Sequence, residues 1–170
     1  KVTPLNTAVG AVAGALPIAI GWLAVGGPQQ VLAGDISASL AVAALGTVLY
    51  LWQFPHFMAI AWLYRDQYGL AGLKMFTVTD SSGLRAAGQS LAASLAMIPV
   101  SLVMAVPSGS IRMFLTAALA SSVYVLVSVN FAVRMDDRSA RILLFTSLGV
   151  LLVLMTSAVA FSGPNMLSFS

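Results

Sequence analysis

Five apolar runs, each about twenty residues or longer, decide what this chain can fold into before any motif is weighed. They lie at about 8–26, 37–63, 86–106, 112–133 and 142–162. A helix rises about 1.5 Å per residue, so roughly twenty apolar residues cross the hydrocarbon core of a bilayer. Composition agrees: 59% of the residues are hydrophobic and 8% are charged. A soluble domain carries about 25% charged residues, so this chain could not cover its surface in water. The expected fold is all-α, a polytopic transmembrane helical bundle in a lipid bilayer.

The connections between runs carry the charge. Turns are expected at 26–35, 107–110 and 134–141, with a long polar loop at 65–85 and a polar tail from 162. Lys1, Arg65, Lys74, Arg85, Arg134, Arg138 and Arg141 fall on one side of the membrane, and only Arg112 on the other. Positive charge collects on the cytoplasmic side. The N-terminus and the loops 65–85 and 134–141 are therefore expected in the cytoplasm (or a mitochondrial matrix), and the C-terminus outside. The cationic excess belongs to these loops and forms no basic patch with interleaved aromatics, so no nucleic-acid partner is expected. Cysteine is absent, which removes disulfide and thiolate chemistry. The chain opens on Lys1 with no signal peptide ahead of its first span, and a fragment or processed product is expected. The lack of targeting information points to a bacterial inner (plasma) membrane.

The first span holds Gly10 and Gly14 in a GxxxG step among alanines. Helices in lipid associate through close backbone approach at small residues, so this one is expected to pack tightly. Pro17 should kink it. Asn6, just ahead, reads as a helix cap or as a ligand contact.

The stretch 50–72, YLWQFPHFMAIAWLYRDQYGLAG, carries most of the chemistry. At 100° per residue, Gln53, His56, Tyr64 and Gln67 fall on roughly one face of a helix. A polar face in an apolar helix, ending in charge, suggests a cavity open to one membrane surface. Pro55 frees a carbonyl inside the bilayer. His56 reads either as a hydrogen-bonded structural histidine or as a heme ligand or substrate contact. A lone histidine without cysteine leaves a zinc site short of ligands. Arg65, Asp66 and Tyr68 lie where the span leaves the membrane, and Gly69 and Gly72 loosen the loop beyond, as in a lid. Asp66 could hold a divalent cation beside a diphosphate; the alternative is an ordinary solvated loop. Gln89, Pro99 and Asn130 say little, Asp136 and Asp137 read as a charge-balanced turn, and the last span carries no evident chemistry.

Two segments, TPLNTAVGAVAGALP at 3–17 and LWQFPHFMAIAWLYRDQY at 51–68, closely resemble the protoheme IX farnesyltransferase (heme O synthase) family of UbiA-type intramembrane prenyltransferases. The resemblance implies a bundle of about nine spans, with residues 1–170 as its C-terminal part. It implies transfer of a farnesyl group from farnesyl diphosphate to a vinyl group of heme b, with Mg²⁺ assisting the diphosphate to leave. On these terms Asp66, Arg65 and Tyr68 would be catalytic, Asp66 a magnesium ligand, and His56, Asn6, Gln53 and Gln67 substrate contacts. The family's first Asp-rich motif lies in an N-terminal half that is not here, so the fragment is expected to be inactive alone. Gln67 stands where the second motif has an acidic residue, with Asp66 one position earlier. Other expectations remain open: a UbiA-type enzyme for a quinone or chlorophyll precursor, or a non-enzymatic heme-binding assembly protein or transporter half.

Overall fold

Each predicted span is one long helix in the computed structural model, which describes residues 6–34, 36–72, 76–80 and 82–161. Helix α1 covers Asn6–Ala24, α2 Gly27–Leu32, α3 Ile36–Leu63, α4 Arg65–Leu70, α5 Phe76–Thr79, α6 Leu84–Ala105, α7 Ile111–Arg134 and α8 Asp137–Ala160. Among the described residues there is no strand. Five of these helices, α1, α3, α6, α7 and α8, are long and apolar enough to cross a membrane.

The connections are more ordered than the polar loops expected from sequence. The segment 26–35 contains α2, and 65–85 contains α4 and α5. The segment 134–141 is shorter as a turn than expected, because α8 begins at Asp137 and takes Arg138 and Arg141 into its first two turns. The cause is a capping box. The Asp136 carboxylate accepts from the Ser139 amide at 2.7 Å, and the Ser139 hydroxyl accepts from the Asp136 amide at 3.4 Å. These bonds satisfy helix-start groups that would otherwise need water.

Helix α3 is the centre of the packing. It contacts α1, α6 and α8, while α6 packs on α7 and α7 on α8, so α3, α6, α7 and α8 close into a ring of four. The core between them is built from Val48, Met58, Met97, Tyr124, Phe131, Leu143 and Leu154, all fully buried. Small residues let the backbones approach. Ser90, Ser94, Ser101, Ser121 and Ser147 are buried and turn their hydroxyls back onto carbonyls three or four residues earlier. That satisfies each hydroxyl within its own helix and leaves a thin surface for the neighbour.

Helix α1 stands at the side of α3, and Val9, Ile20 and Leu23 on it are exposed. The GxxxG step is used at one of its two glycines. Gly14 faces the Gln53 carboxamide so closely that a Cβ there would overlap it, whereas Gly10 has open space. Pro17, Pro55 and Pro99 all lie inside continuous helices.

Candidate functional site

His56 sits half-buried on α3, and its Nδ1 lies 2.7 Å from the Ser147 hydroxyl of α8. Ser147 has one proton and donates it to the Leu144 carbonyl at 2.6 Å. With that proton on Leu144, the contact is made by an Nδ1–H donor, and Nε2 has no hydrogen bond among the described residues. Trp52, one turn earlier, stacks on the imidazole at a centroid distance of 4.8 Å. Its indole N–H donates to the Ser147 carbonyl at 2.7 Å, so α8 receives both side chains at one residue. Phe57 meets the imidazole edge-on at 5.6 Å.

Pro55 lies in the same turn of α3. It has no N–H, which deprives the Leu51 carbonyl of its usual donor and disturbs the ladder around it. The Tyr124 hydroxyl of α7, fully buried, donates to the adjacent Trp52 carbonyl at 2.8 Å. In lipid such groups must find partners within the protein. Three helices thus converge on the turn that holds His56.

Gln53 goes elsewhere. It is 6% exposed, and its amide donates to the Ala11 carbonyl of α1 at 3.2 Å and to the Leu49 carbonyl at 3.0 Å. Although Gln53 and His56 are one turn apart, one ties α3 to α1 and the other ties it to α8.

At the end of α3 the chain leaves the apolar region. Arg65 does not pair with the neighbouring Asp66. Its guanidinium bonds Asp137 at 2.9 Å and the Trp62 carbonyl at 2.8 Å, and it lies over the Trp62 ring at 4.8 Å. Asp66 is left exposed in the first turn of α4, without an ion pair or side-chain hydrogen bond among the described residues. Gln67 is exposed and Tyr68 half-buried on the same short helix. Ten residues and the break between α3 and α4 at Tyr64 separate His56 from Asp66. Asn6 opens α1, and its side chain lies outside the described residues, as do Lys1 and Lys74.

Two other carboxylates serve the backbone. Asp80 accepts from the Ser82 hydroxyl and from the Ser82 and Arg85 amides, closing the start of α6. The Ser82 hydroxyl and these amides hold its carboxyl below the usual carboxylate range. Ser139 does the same for Asp136, through its hydroxyl and its amide. Among the described residues no three histidine, cysteine, aspartate or glutamate side chains gather where a metal could bind. A divalent cation would find Asp66 as a single free donor here, which does not make a site.

The sequence reading missed Ser147, Tyr124, Trp52 and Asp137. A serine and a tyrosine inside apolar spans are the signal that pointed to them, since each must find a partner away from water. The last span, read as carrying no chemistry, supplies the partner of His56.

The UbiA prenyltransferase family model matches residues 1–154. A protein named protoheme IX farnesyltransferase from Rhodopirellula baltica is 42% identical over 157 residues, 88% of this chain and 52% of that protein. One of the same name from Solibacter usitatus is 39% identical, across 84% of this chain and 46% of the relative. The human protein named protoheme IX farnesyltransferase, mitochondrial, is 35% identical across 97% of this chain and 35% of its own length. The chain spans about half the length of the first two relatives. No solved structure matches it.

Proposed function

Because the chain belongs to the UbiA prenyltransferase family, we propose that it is the C-terminal part of a protoheme IX farnesyltransferase, acting in an inner (plasma) membrane. In the proposed reaction the carbon–oxygen bond between farnesyl and diphosphate breaks, and a carbon–carbon bond forms to a vinyl group of heme b. Diphosphate leaves, and water quenches the cation left on the former vinyl carbon to give heme O. The observation that carries this reading is the 42% identity to a protein of that name over 88% of the chain.

Within it, the geometry suits a division by depth. The farnesyl chain lies among apolar helices, and the diphosphate takes the polar rim near Asp66 and Tyr68, with Gln67 beside them and the loops 65–85 and 134–141 cytoplasmic. His56 contacts heme from within the bundle, its Nε2 lone pair presented by the Nδ1–H bond to Ser147. Arg65 shapes the rim through its bond to Asp137. Gln53 acts by fixing α1, which would place Asn6. Mg²⁺, which the family implies, would need carboxylates beyond Asp66; no step is assigned to it.

Heme b and farnesyl diphosphate supplied to the full-length protein in membranes, with mass detection of the product, test the reading. Farnesylated heme is expected, and a panel of quinone and chlorophyll precursors should yield nothing. Prenylation of a precursor in place of heme, or heme binding without transfer, overturns it. His56→Ala should abolish most heme retention while Asp66→Asn leaves retention intact and lowers turnover. The 170-residue chain alone should give no product.

A further inference from the structure

We infer that the outward face of α8 holds an anionic phospholipid, its phosphate on Arg138 and Arg141 and one acyl chain along the apolar stripe below. A groove of about 540 Å³ lies there, lined by Asp137, Arg138, Arg141, Ile142, Phe145 and Thr146. Arg138, Arg141, Ile142 and Phe145 follow the i, i+3, i+4, i+7 spacing of a single helix face. Ser147 comes nine residues after Arg138, half a revolution away, so this face is opposite the one that meets His56.

Charge and length select the ligand. Both guanidiniums are exposed, and among the described residues neither makes an ion pair. The one carboxylate in the groove, Asp137, is already held by Arg65 at 2.9 Å. Two guanidiniums outside any ion pair, with Asp136 near Arg138 but bonded to Ser139, complement a phosphate bearing a net negative charge, which they grip through paired N–H bonds. Below them Phe145 is 70% and Leu152 65% exposed, and at Gly149 a side chain would meet open space. The eleven helical steps from Arg141 to Leu152 span about 16 Å, roughly half of a ~30 Å hydrocarbon core. That is the depth of one leaflet. A soluble diphosphate would use the arginines and leave the stripe bare, and a zwitterionic headgroup would bring its own cation against them.

Native mass spectrometry of the detergent-solubilised full-length protein, titrated with dioleoylphosphatidylglycerol or dioleoylphosphatidylcholine, tests this. At roughly a factor of five per arginine, the anionic lipid should be preferred by about thirty-fold. Arg138→Gln with Arg141→Gln should remove most of that preference. Arg85→Gln with Arg112→Gln, an equal loss of charge elsewhere, should keep it. Equal affinity for the two lipids, equal loss in both double variants, or displacement of the lipid by inorganic pyrophosphate at matching affinity overturns the inference. A second reading does not depend on the arginine variants folding. Trp fluorescence of Phe145→Trp, corrected for the parent's signal, should be quenched more by dibrominated phosphatidylglycerol than by the dibrominated choline lipid; equal quenching overturns the inference.

Discussion

A single hydroxyl fixes the state of the imidazole at the centre of this fold. Ser147→Ala leaves the His56 Nδ1–H without its partner in an apolar setting, and Tyr124→Phe takes a donor from the Trp52 carbonyl. Hydrogen bonds between membrane helices contribute about 0.6 kcal/mol on average and up to ~1.7, so each variant should lose roughly 1 kcal/mol. Reversible unfolding in mixed micelles would measure it. The two bonds converge on one turn of α3, from α7 and α8, so the double variant should depart from the sum of the singles; strict additivity would mean that they act independently. A different residue-scale constraint acts at Gly83. Its φ of 70° lies in the left-handed region, and a Cβ there would run into Met135 and the Trp62 ring. Gly83→Ala should cost at least about 1 kcal/mol, read in the same unfolding experiment.

At the scale of elements, the helices were legible because an apolar run of span length has few alternatives. The predicted limits of α3 and α7 match the structure within a residue or two. The start of α8 was not legible: Arg138 and Arg141 looked like a turn, and the capping box that begins the helix uses Ser139 where Glu or Gln is the recognisable residue. Asp136→Ala removes the cap and should lower the melting temperature. The same carboxylates make the helix starts sensitive to acid. Asp80 and Asp136 are held below the usual range, so the folded state binds fewer protons there than the unfolded one. Their contribution is complete above the ordinary carboxylate range and lost as pH falls through the lowered values. Helicity and melting temperature should therefore drop at acid pH, and less so in Asp136→Ala. A parallel pH profile in the two proteins would refute this.

At the scale of the whole molecule, sequence periodicity said which residues share a face but not which neighbour that face meets. Gln53 and His56 show why: adjacent turns of α3 serve different helices, and the partners lie 42 and 91 residues away. The rim follows the same rule. Arg65 and Asp66 are neighbours in sequence, yet Arg65 pairs with Asp137, 72 residues on. That pair is partly exposed, so a double-mutant cycle on Arg65 and Asp137 should give less than about 1 kcal/mol of coupling, shrinking as salt is raised. The position of α3 has one more consequence. In this segment it is the second long helix to leave the ribosome, and it is the one against which α1, α6 and α8 come to rest. Each later arrival in the bilayer finds its docking surface already made, so assembly can proceed in the order of synthesis.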